Sequence, residues 1–161
     1  YTAKKRADAS ALCILRMVGS DPTEAVFYVE DVVAKRVEAP DFFGEVRMAL
    51  ADFPGAQAVF RYAGPEKGMI DTMKREGIRV KGIPTRGDKY TNAQEFAAAW
   101  NDGRVLVPRR YADADEVPHW VQPFVDEVQS FTGVDGRHDD MVDAAISAHL
   151  ACVGSPAVVW L

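Results

Sequence analysis

Cysteine is scarce: the chain holds two, Cys13 and Cys152, in 161 residues, and neither belongs to a CxxC pair. That spacing argues against a thiolate zinc site. Both sit among apolar neighbours ("ALCIL", "LACVG"), the setting of isolated buried thiols in an intracellular protein. Also missing is any run of about eighteen apolar residues, so no membrane-spanning helix is expected. Positive charge is in deficit: 19 Lys and Arg against 24 Asp and Glu give a net charge of −5. A domain that holds nucleic acid by bulk attraction is usually basic. If this one handles DNA, a local basic surface or bound cations must compensate. No GxxxxGK[ST] loop occurs, which removes a P-loop nucleotide site. There is no internal repeat or low-complexity tract. The opening "YTAKKRADAS" has neither Met nor an apolar signal core, and reads as part of a longer protein.

What is present is the composition of one globular domain, 48% hydrophobic, with length for a single sizeable core. "SALCILRMV" (10–18) is apolar on both alternating faces, as in a central strand. After the turn cluster "GSDPTE", "AVFYVEDVVAKRV" (25–37) is rich in β-branched and aromatic residues. The two segments predict an antiparallel pair. Phe42, Val46, Ala49, Leu50 and Phe53 then fall at helical spacing, with Asp41 near the start and Pro54-Gly55 as the stop. A strand (56–64), a helix (65–77) ended by Gly77 and a short strand (78–84) follow. "TRGDKYTN" reads as a loop, "AQEFAAAWNDG" as a helix closed by Gly103, and "RVLVP" (104–108) as a strand. The acidic "ADADEVP" reads as exposed. In "HWVQPFVDEVQSF" (119–131), Trp120, Phe124, Val128 and Phe131 share one stripe, and the last helix runs from about Asp139 to Val153. Strands paired first and then alternating with helices predict a mixed α/β fold, a sheet covered by helices.

The segment "GRHDDMVDAAISAH" (136–149) carries the chemistry. Acidic residues favour helix starts, where amide N–H groups and the macrodipole stabilise them by about 0.3–1 kcal/mol each. Asp139 could be a cap and nothing more. Yet one cap suffices, and Asp140 and Asp143 add carboxylates on neighbouring faces. Their repulsion raises carboxyl pKa values unless a cation lies between them. Met141, Val142, Ala145, Ile146, Leu150 and Val153 make the rest of this helix apolar and core-facing. Oxygen donors without cysteine suit a hard cation such as Mg²⁺ or Mn²⁺. His138 beside so many carboxylates fits a supporting role better than that of a ligand.

"GRHDDMVDA" followed by small apolar residues resembles the C-terminal signature of the nuclease domain of tailed-phage large terminase subunits. "TAKKRADASALCIL" is similar to the segment that follows that family's first catalytic strand, and "YAGPEKGMIDTMKREGIRV" to its fourth strand and helix. "GDKYTNAQEFAAAWNDGRVLVP" and "W…F.DEVQSFTG" resemble two further stretches, in the family's order. The resemblance implies one nuclease domain over 1–161, with an RNase H-like mixed central β-sheet flanked by α-helices, of the junction-resolvase type. It implies an endonuclease that cuts double-stranded viral DNA concatemers during packaging, using two Mg²⁺ or Mn²⁺ ions. It further implies an upstream packaging ATPase, a portal protein and a small terminase subunit as partners, and a place in the bacterial host cytoplasm.

Carried onto this sequence, the resemblance makes Asp140 a metal ligand, Asp139 a second ligand or a group that supports one, and Asp143 a supporting acid. Glu66, the only acid between Ala56 and Gly68, is the candidate for the fourth-strand carboxylate. Lys89 matches a lysine near the family's site, where it steers a phosphate or positions water. The family's first-strand aspartate normally precedes the part matching "YTAKKRAD"; Asp8 matches a downstream acid with a turn or supporting role. Lys67, Lys89 and Arg104 are the leading DNA contacts. Lys4, Lys5, Arg6, Lys74, Arg75, Arg109 and Arg110 are further basic candidates. Two alternatives stay open: a Holliday-junction-resolvase-like nuclease, and a non-catalytic RNase H-like module that binds DNA or the portal.

Overall fold

The computed structural model describes residues 10–64, 66–108, 117–133 and 139–154. Two long strands, β1 (Ser10–Val18) and β2 (Val26–Lys35), open the fold as an antiparallel hairpin. Its turn is set by Asp21, whose carboxylate accepts from the backbone N–H and hydroxyl of Thr23. Cys13 and Leu15 pack into the main core, whereas Ile14 packs against Ala49 and Ala56 on the other side. Both faces of β1 are thus covered, as its unbroken apolar run requires. β2 alternates Phe27 and Val29 into the main core, then continues with Val32. The shift of parity follows from a bulge, where the register slips between Ile14 and Leu15.

Helix α1 (Ala39–Asp52) buries Phe42, Phe43, Val46 and Ala49. Strand β3 (Ala58–Tyr62), helix α2 (Lys67–Arg75) and strand β4 (Val80–Pro84) form a parallel crossover unit. Helix α3 (Lys89–Asn101) leads into the two-residue strand β5 (Val105–Leu106), which joins β2 in parallel. Helices α4 (Val121–Ser130) and α5 (Asp140–Gly154) complete the described chain. Every element expected from the sequence forms. Gly77 and Gly103, both at positive φ (79° and 70°), close α2 and α3 as their positions predict.

Two details differ. α3 starts at Lys89, four residues before the apolar periodicity begins, because the Asp88 carboxylate accepts from the Thr91 amide at 2.7 Å and caps the turn. The described strands also pair in two groups, β1-β2-β5 and β3-β4. Helix α5 spans both groups, touching β1, β2 and β3. Its small residues Ala145, Ala148 and Ala151 are buried, which lets its backbone approach the sheet closely. The main core lies under α5, α3 and α4; a second one joins α1 and α2 to β3 and β4. No described helix is long and apolar enough to cross a membrane.

Candidate active site at the start of helix α5

Asp139 stands at the cap position of α5: its carbonyl accepts from the Asp143 amide at 2.9 Å. Its carboxylate, however, turns to Lys89. The amide of Val142 is satisfied instead by Glu127, which reaches across from α4 with its Oε1 3.0 Å away. The acid that caps the helix comes from another element, and Asp139 is released for other chemistry.

Lys89 Nζ donates to Asp139 Oδ2 and lies 2.8 Å from Asp143 Oδ2. It also sits 5.7 Å from the centre of the Phe131 ring, within cation–π range. Burial alone would lower the Lys89 ammonium, but its hydrogen bonds and charge contacts with the two aspartates leave it above the ordinary lysine value. Partial burial raises the Asp143 carboxyl. Lys89 pulls it back, Asp139 and Asp140 push it up again, and the balance stays above the aspartate norm. Glu127 is likewise raised, first by burial, against the pull of the Met141 and Val142 amides, with Asp140 and Asp139 adding to the rise. Arg61, on β3, is the second cation: burial lowers its guanidinium and Asp143 opposes that shift.

Two hollows adjoin these groups. One, of about 210 Å³, lies between β1 and β3 and is lined by Cys13, Arg61, Asp140, Asp143 and Ser147 among others. The other, of about 230 Å³, is lined by Arg61, Lys89, Asn92, Asp143 and Ser147. Asp143, Arg61 and Ser147 belong to both. Burial pushes the Cys13 thiol far up, so it stays protonated and inert.

The other sequence candidates are placed differently. Glu66 is exposed at the N-terminal cap of α2, where its Oε2 accepts from the Ala63 amide at 3.2 Å. That fixes it four residues beyond the strand carrying Arg61, and no described contact joins it to the α5 acids. Lys67 is exposed beside it. Arg104 is occupied elsewhere. Its guanidinium donates to the carbonyls of Ala25 (3.0 Å) and Pro22 (3.3 Å), bracing the hairpin turn against β5. It lies near His149, ten residues along α5 from Asp139, or about 15 Å at the helical rise. His138, Asp8, Lys4, Lys5, Arg6, Arg109 and Arg110 lie outside the described residues. Sequence reasoning missed Glu127 and Arg61 as members of the site. Nothing in their local patterns marks them, since both arrive through tertiary packing.

A family model for the terminase RNaseH-like domain matches residues 1–151. The chain belongs to that family. Terminase nuclease structures share its fold. The large terminase nuclease from thermophilic phage G20c with bound magnesium is 15% identical, at a TM-score of 0.60, over 87% of this chain and 81% of that one. The same nuclease with bound zinc is 17% identical, at a TM-score of 0.56, over 88% and 80%. No curated protein matches the chain. The expected resemblance and the α/β, RNase H-like fold are thereby confirmed.

Whether this candidate site suits a divalent ion can be tested on its own charges. Among the described residues, four carboxylates (Asp139, Asp140, Asp143 and Glu127) interact with one another and with two cations, Lys89 and Arg61. The excess is two negative charges. An ammonium already lies between two of the carboxylates, as a cation in that place should. The donors are hard oxygens, fitting Mg²⁺ or Mn²⁺. No three described His, Cys, Asp or Glu residues are yet gathered at metal-holding spacing, so a bound ion would have to draw these acids closer.

Proposed function

We propose that this terminase domain is a divalent-metal-dependent endonuclease that cuts double-stranded viral DNA during genome packaging, with its ions held by Asp139, Asp140 and Glu66. The reading rests on one observation: carboxylates crowd the start of a core helix beyond what capping needs, and a cation lies among them. Two Mg²⁺ or Mn²⁺ ions bound there would activate a water and stabilise the leaving oxygen of the phosphodiester. The rest falls to the protein's own side chains. Asp140 borders the hollow between β1 and β3, and Asp143 supports it from the next turn. Glu66 would supply the third carboxylate from the N-terminal cap of α2, in the segment that follows β3. Lys67 and Lys89 hold phosphate oxygens, giving affinity without sequence preference. DNA, the portal and the other terminase components are the partners this reading implies.

Supercoiled plasmid incubated with the chain and Mn²⁺ should become nicked. Asp140→Asn, near-isosteric, should lower the rate by about a hundredfold or more with the fold retained by circular dichroism. Equal nicking by the variant overturns the assignment. DNA binding without nicking by either protein favours a non-catalytic module.

A further inference from the structure

The position of Lys89 goes beyond steering a phosphate. Its ammonium is not turned out toward an incoming anion; it is engaged with Asp139 and Asp143 at once, and its side chain is 24% exposed. Asp139 is 13% exposed, so the pair is largely shielded from water. The backbone beneath is fixed, because Lys89 is the first residue of α3, directly after the Asp88 cap. The ammonium at the end of its flexible four-carbon stem can still swing away without moving the helix.

We infer that Lys89 is a placeholder cation: it holds Asp139 and Asp143 together in the metal-free domain and leaves them when a divalent ion arrives. The inference rests on the metal-dependent reading above and adds an event to it. Without this lysine, of the two described cations at the site Arg61 alone would offset the repulsion at the acidic helix start before any ion bound. With it, the acids stay paired, and an arriving ion must displace one protein cation. Lys89 therefore weakens metal affinity while protecting the metal-free fold. A lysine that served only as a phosphate ligand would do neither.

The test uses Mn²⁺ alone, with no DNA. Calorimetric titration of the wild type, Lys89→Met and Lys89→Arg should show Lys89→Met binding about tenfold more tightly, the factor expected when a charge-assisted contact no longer has to be broken. Lys89→Arg should stay near the wild type. The metal-free melting temperature of Lys89→Met should fall, and its gain on Mn²⁺ saturation should exceed the wild-type gain. An independent arm needs no variant: acetylation of Lys89, read by mass spectrometry, should accelerate severalfold when Mg²⁺ saturates the wild-type chain. If the wild type binds Mn²⁺ but Lys89→Met binds no more tightly, or Lys89 acetylation is unchanged or slowed by Mg²⁺, the placeholder role is overturned and the metal-dependent reading stands. If neither wild type nor variant binds Mn²⁺, both fall. Should Lys89→Met fail to fold, the acetylation arm decides.

Discussion

His149 makes the stability of this domain sensitive to mild acid. The side chain is 2% exposed, packed in α5 against Phe27 (ring centres 4.4 Å apart) and edge-on to Phe96 (5.8 Å). Neither ring nitrogen has a hydrogen-bond partner among the described residues. Burial, and then the nearby Arg104 charge, push its pKa from 6.5 down to about 4. The folded state thus favours the neutral ring. Its contribution is fully present above pH 6.5 and is lost as pH falls through about 4. A shift of about 2.5 units corresponds to about 3.4 kcal/mol at the acid limit, and about 2 kcal/mol is already gone at pH 5. Urea denaturation at pH 7.5 and pH 5 measures this directly. His149→Leu keeps a similar volume and cannot titrate, so the wild type should lose about 2 kcal/mol more than the variant between the two conditions. Groups common to both proteins cancel in that difference. Equal losses would refute the prediction, because the imidazole would then accept a proton inside the core without cost.

Two other substitutions probe how the site is held. Glu127→Ala removes the acceptor for the Val142 amide at the head of α5 and should cost about 1 kcal/mol by urea denaturation, whereas Glu127→Gln should keep most of that bond. Gly103→Ala forces a side chain into the left-handed backbone that ends α3 and should lower stability by about 1–2 kcal/mol, visible as a lower melting temperature.

The elements were legible because their signals are local. The doubly apolar run of β1, the stripe Trp120–Phe124 and the glycines closing α2 and α3 each need only a few neighbouring residues to be recognised. The early start of α3 escaped because "DKYTN" has no apolar period, although Asp88 three residues before Thr91 is a capping signal in its own right. The site was legible only in outline. That three aspartates share one helix start is plain from "HDDMVDA". That their counter-charge is Lys89, fifty residues away, depends on how α3 packs beside α5, and no spacing rule spans that gap. Arg104 shows the converse: its charge suggests a surface contact, while its surroundings recruit it as a brace for two backbone carbonyls.

Helix α5 serves at once as scaffold and as instrument. Its first turn gathers the acids, and the rest of the helix is the beam on which both groups of strands rest. An ion caught at one end would therefore stiffen the entire body rather than a local loop. Occupancy should be readable far away, in the slowed amide exchange of β1 and β2, so that the molecule reports its own loading without any nucleic acid being cut.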